Sequence, residues 1–125
     1  MTQQPVPKVT DEDVRRIALR DFGEKRVALA LSIVEEFGKQ SWNEPSPRVR
    51  LAILKLANGD LDRLLDATQT AIEDYRDVLV AAEYPKYHHE SCFAVGFGDA
   101  PESVKEPVID DDWRQYREWF ERKSA

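Results

Sequence analysis

The stretch from Ser46 to Pro85, SPRVRLAILKLANGDLDRLLDATQTAIEDYRDVLVAAEYP, decides the fold. It reads as two helices joined by a tight Asn58-Gly59-Asp60 corner. Ser46 can accept a hydrogen bond at an N-cap, and Pro47 behind it suits the first helical position, where a missing N–H costs nothing. Val49, Ala52, Ile53 and Leu56 recur at the spacing of one buried helical face, while Arg48, Arg50 and Lys55 fall on the other side. Asn58-Gly59 stops this helix, because glycine enters the left-handed region without a Cβ penalty. Asp60 then restarts the chain as an N-cap.

In the second helix Leu61, Leu65, Thr68, Ile72, Tyr75, Leu79 and Ala82 step alternately by four and three. Leu64, Ala71 and Val78 widen that stripe, which predicts a long amphipathic helix with this side in the core. Pro85 ends it, since the residue before proline is pushed out of the α region. So short a corner makes the two helices antiparallel neighbours. Val78 to Ala82 is apolar all round, and the C-terminal segment is expected to cover it.

Upstream, residues 1–8 carry two prolines and two glutamines and read as a flexible tail, with residues 9–125 as one helical domain. Thr10 with Asp13 forms a capping box, and Val9 with Val14 a hydrophobic staple, so a helix is expected from about residue 10 to 22, burying Val14, Ile17, Ala18 and Phe22. A second helix is expected over about 24–37. Its VALALSIV run could instead be a buried strand, but Glu35 to Phe37 continue the helical period and no partner strand is visible. Leu29 and Ile33 give this helix a second apolar side, which predicts a central position. Trp42, alone in a polar connection, reads as an anchor folded back on the core.

Downstream, residues 86–109 mix glycine, proline, aromatics and acids and read as irregular, with Cys92 to Val95 extended. A last helix is expected over 110–122, with Asp110 to Asp112 at its positive end and Ile109, Trp113, Tyr116 and Phe120 along one side. With the hairpin helices at about 47–58 and 60–83, the expected fold is all-α: a single-domain bundle of four to five helices with an irregular segment before the last helix.

A chain of 125 residues, 42% hydrophobic, is large enough for one packed core. Its longest purely apolar run, Val27 to Leu31, is far short of a membrane span, and MTQQPVPKVT lacks the basic and apolar regions of a signal peptide. These features predict a cytoplasmic protein. A single cysteine, Cys92, excludes an internal disulfide framework. The net charge of −6 is concentrated at residues 60–83, with seven acids against two bases. Such a chain argues against nucleic-acid backbone binding, which needs clustered cations.

The runs LAILKLANGDLDRLL and DYRDVLVAAEYPKY, within Arg48 to Tyr87, and the closing DWRQYREWF resemble a group of short bacterial all-helical proteins with no assigned function. The likeness covers roughly the last two-thirds of the chain and implies a bacterial, intracellular origin. It implies no activity, cofactor or catalytic residue.

Few constellations carry chemistry. In an extended segment His88, Glu90 and Cys92 would alternate onto one side, and they are ligand types that suit zinc. Neighbours at that spacing need to converge and usually need a further ligand, and no other histidine or cysteine except His89 exists. Cys92 with His88 or His89 is also a conceivable nucleophile and base. The acids Asp62, Asp66, Glu73 and Asp77 lie on the polar side of the long helix and read as a solvated face. Asp74-Tyr75-Arg76-Asp77 reads as ordinary surface pairing, with Tyr75 needing a partner if buried. Gly96-Phe97-Gly98 lacks the third glycine and the context of a dinucleotide site.

The absence of converging catalytic groups favours a non-enzymatic module that binds another protein or itself, with no cofactor. Its contact candidates are Tyr84, Tyr87, Phe93, Phe97, Trp113 and Trp119, since aromatics are enriched at interfaces. The alternative is a small metal-binding protein or enzyme centred on His88, Glu90 and Cys92. A further reading makes the acidic ridge a docking face for a basic partner.

Overall fold

In the computed structural model, which describes residues 6–94 and 96–123, the described residues form six α-helices, one 3-10 turn and no strand. They are α1 (Asp11–Phe22), α2 (Val27–Val34), α3 (Pro47–Ala57), α4 (Leu61–Glu83), α5 (Pro85–Phe93), the 3-10 turn Phe97–Asp99, and α6 (Glu102–Glu121). The expected all-α architecture is present, with one helix more than anticipated. Most of the expected flexible tail, residues 1–5, lies outside the described residues.

The local signals act as expected. Thr10 and Asp13 make the capping box of α1. Ser46 accepts from the Val49 N–H at the start of α3, and Asp60 from the N–H groups of Asp62 and Arg63 at the start of α4. Asn58 is left-handed (φ 48°) and Gly59 follows at φ 79°, so α3 and α4 fold back on one another and form the central pairing. The core joins Ile17 and Ala18 of α1, Leu51, Ile53 and Leu54 of α3, Leu64 and Ala71 of α4, and Tyr116 and Trp119 of α6. As the apolar run Val78 to Ala82 predicted, α6 packs against α4, and Gln115 Nε2 donates to the carbonyls of Ala82 and Glu83.

Four expectations are corrected. First, α2 is shorter than 24–37 and is not central: Leu29 is 51% exposed, and only Ala30 and Val34 are fully buried within it. The carbonyls just beyond its end are held from outside, Arg50 Nη2 of α3 donating to Glu35 O and Phe37 O. Gly38 then turns the chain at φ 105°, where a Cβ would stand 2.6 Å from Pro45 Cα.

Second, the buried stripe of α4 is rotated from the expected one. Leu64, Ala67, Thr68, Ala71, Val78, Leu79 and Ala82 are buried, whereas Leu65 is 53% exposed. Third, the segment expected to be irregular is largely helical. Pro85, which ends α4, also occupies the first position of α5, where its ring is pre-organised. The helix runs through Cys92 to Phe93, and Ala94 is the extended residue behind it.

Fourth, the last helix begins at Glu102 and continues past Pro107 instead of starting at Asp110. Asp110 to Asp112 therefore sit mid-helix, away from its positive end. Asp112, 3% exposed, reaches across to α5 and accepts from the N–H groups of Lys86 and Tyr87 at 2.9 and 2.8 Å. It performs the N-cap role that Tyr84, with no side-chain cap bond, does not. The other end of α6 is capped from α1. Arg20 Nη1 donates to Trp119 O and Arg122 O, Arg16 Nη2 to Phe120 O, and the Arg20 guanidinium lies over the Trp119 ring and that of Arg16 over the Phe120 ring.

Candidate functional site

The helix α4 is broken at Asp74, whose backbone is extended (φ −154°, ψ 97°). The Asp74 carboxylate accepts from the Arg76 N–H at 3.1 Å and so acts as an internal N-cap for the second half of the helix. That N–H would otherwise bond to the Ile72 carbonyl four residues back. The released carbonyl is taken by two side chains of the preceding loop: Trp42 Nε1 and Asn43 Nδ2 each donate to Ile72 O at 3.0 Å. Gln40 steadies Asn43 in turn, its Oε1 accepting from Asn43 Nδ2 at 3.2 Å.

Beside this break lies a cleft of about 460 Å³, lined by Phe37, Trp42, Asn43, Glu44, Ser46, Arg48, Val49, Tyr75 and Leu79. Its floor is apolar, with Phe37, Val49 and Leu79 buried. Two aromatic side chains remain open to solvent, Trp42 at 68% and Tyr75 at 42% exposed. Tyr75 stands edge-on to Phe37, with centroids 6.3 Å apart. The expectation that Trp42 folds back on the core is corrected: its indole N–H is anchored, but its ring stays outside. Tyr75, expected on the core stripe, is turned outward at the break.

The wall is charged, with Arg48 neutralised by an ion pair and the Glu44 carboxylate exposed. Arg48 Nε and Nη2 donate to the two Glu83 carboxylate oxygens at 2.8 and 2.6 Å, a bidentate pair with Glu83 buried. The Glu83 hydrogen bonds raise the Arg48 pKa further, so this cation is permanent. At the break itself Arg76 pairs with Asp74, which holds the Asp74 carboxyl below its ordinary range.

A second polar cluster lies below α5. Burial pushes the Asp112 carboxyl up, against the two α5 N–H donors that favour its charged form. Burial likewise pushes the Lys55 ammonium down, with Asp112 opposing. Lys55, expected on a polar face, is thus half-buried.

The residues expected to carry chemistry are dispersed. Because α5 is helical, Glu90 lies about 200° around the axis from His88, on the side away from it, while Cys92 returns to the His88 face. Cys92 Sγ is 3.7 Å from His88 Nε2, and the two form an exposed pair. The alternation that grouped all three side chains does not exist in a helix. No set of three or more His, Cys, Asp or Glu side chains among the described residues is placed to hold a metal ion. The ridge acids Asp62, Asp66, Glu73 and Asp77 are exposed, as a solvated face requires.

Among the contact candidates, Phe97 and Trp119 are buried, Phe97 edge-on to Tyr87, and they serve the core. Tyr84, Tyr87 and Trp113 are half-buried, and the Phe93 side chain lies outside the described residues. No described helix is long and apolar enough to cross a membrane. Sequence alone places both cleft aromatics in the core, because Tyr75 fits the helical period and a tryptophan in a loop is ordinarily buried. The one available signal was Trp42 standing among Gln40, Ser41, Asn43 and Glu44, with no apolar neighbour to hide it. Comparison of the chain with protein-family models, with curated proteins and with solved structures gives no match, so the geometry of the cleft carries the functional reading.

Proposed function

We propose that this chain is a non-enzymatic protein-interaction module of the bacterial cytoplasm whose contact face is the aromatic cleft beside the break in α4. The observation that supports it is Trp42, a mostly exposed indole held in place by its bond to Ile72 O. An ordered, exposed tryptophan beside a second exposed aromatic is the kind of pre-organised anchor that dominates interface energetics. The cleft contains no group placed as a nucleophile with a base beside it, which favours binding over chemistry.

Selection of a random peptide library on the immobilised protein, counter-selected on Trp42→Ala, tests this reading. A consensus retained by the wild type and lost by the variant is expected, and the absence of any Trp42-dependent sequence overturns the reading. Light scattering over a concentration series separates self-association from binding of a foreign partner.

The alternative reading, a metal-binding protein, is supported only by the His88–Cys92 contact, which offers two ligands of a possible four. Elemental analysis of the purified protein tests it: stoichiometric zinc lost on His88→Ala supports it, and metal-free protein ends it.

A further inference from the structure

The reading of the cleft as a contact face leaves its occupant undefined. Three aromatic rings, Phe37, Trp42 and Tyr75, line one cleft together with the exposed carboxylate of Glu44. Aromatic faces attract cations through their quadrupole, and a carboxylate on the same wall adds a hydrogen-bond acceptor for an ammonium or guanidinium. The cation that lines the cleft, Arg48, is already neutralised by Glu83, and Arg76, next to Tyr75 in sequence, by Asp74. The surplus charge on the cleft wall is therefore negative, from the exposed carboxylate of Glu44. An acidic peptide would meet this surplus as repulsion, and a neutral apolar one would leave Glu44 partly desolvated without a partner.

We infer that the cleft receives a lysine or arginine side chain of a basic protein segment, its aliphatic stem on Phe37 and Leu79 and its cationic head between the exposed aromatics and Glu44. This rests on the cleft being a contact face, and adds the charge of what it holds. The acidic surplus of residues 60–83 would steer such a segment toward the site from a distance.

The test uses three capped peptides: one alternating lysine and glycine, one with norleucine in place of each lysine, and one with glutamate. Norleucine keeps the stem and removes the charge. The readout is the Trp42 indole N–H resonance of the full chain, assigned by its loss in Trp42→Phe. The lysine peptide is expected to shift that resonance saturably, with affinity falling about tenfold or more between low and high salt. The norleucine and glutamate peptides are expected to leave it in place. Glu44→Gln, on the loop surface, is expected to weaken the lysine peptide about fivefold with no change in fold. Equal shifts from lysine and norleucine peptides overturn the cationic occupant while the contact face stands. If the lysine peptide leaves Trp42 unmoved, the inference falls. The Trp42-dependent peptide selection then decides separately whether the contact face survives.

Discussion

The two ends of α4 are turned by different means. At its start, Asn58 and Gly59 take the left-handed conformation and Asp60 caps the helix from within, so the corner is written in three consecutive residues. At its end, Tyr84 offers no side-chain cap bond to α5, and the junction is held by Asp112, which reaches the Lys86 N–H from 26 residues away. Beside it Arg48 grips Glu83 across 35 residues. The first corner can form in an isolated hairpin, whereas the second exists only once α3, α4 and α6 have assembled. The contrast teaches that one helix can belong to a locally stable unit at one end and depend on tertiary contacts at the other.

That contrast can be broken by mutation. Arg48→Ala leaves a buried Glu83 carboxylate without its partner and is expected to destabilise the fold by about 3 kcal/mol, the low end for a broken buried pair because Arg48 itself is partly exposed. Chemical denaturation measures it, and replacing both partners by apolar residues should recover most of the loss.

Asp112→Ala is next, at about 2 kcal/mol, because it strips two N–H groups of their acceptor. Amide exchange should show Lys86 and Tyr87 losing protection while Leu64 to Ala71 keep theirs; uniform loss along the chain would mean that α5 is no separate unit. The Asp112 carboxyl also carries a pH signature. Its folded pKa lies above the ordinary carboxylate value, so the folded state holds that proton more tightly than the unfolded one. Its contribution to stability therefore falls as pH rises from the ordinary carboxylate range through the raised value. Denaturation against pH should show the wild type losing stability relative to Asp112→Asn across that window, and parallel curves would refute the assignment.

The smallest effect is expected at the local corner. Asp60→Ala removes an exposed N-cap and should cost about 1 kcal/mol, read as a modest fall in Tm with the denaturation slope unchanged. A larger loss there than at Asp112 would reverse the comparison.

The same division governs what could be read in advance. Helix α1, with its box at Thr10 and Asp13, and the hairpin with Ser46, Pro47, Asn58 and Asp60 were legible because each signal acts within about four residues of the backbone group it satisfies. Helix α5 was missed because its N-terminal donors are met by a carboxylate on another helix, and Pro107 concealed the first turns of α6. The break at Asp74 was hidden for a related reason. A single aspartate inside a periodic run costs a helix little, and what makes the break tenable is that Trp42 and Asn43 take the freed Ile72 carbonyl. The cleft and its exposed aromatics followed from that break and could not be read from periodicity.

By itself, then, the order of residues determined that this protein is all-helical, where α1, α3 and α4 begin, and that α3 and α4 lie antiparallel, since those features rest on hydrogen bonds and apolar spacing that span a turn or two. Tertiary structure alone decided the start of α5, the bend of α4 and the exposure of Trp42 and Tyr75. Each of those depends on a polar group finding a partner tens of residues away, and a buried or released backbone group accepts whichever donor or acceptor the folded chain brings within reach.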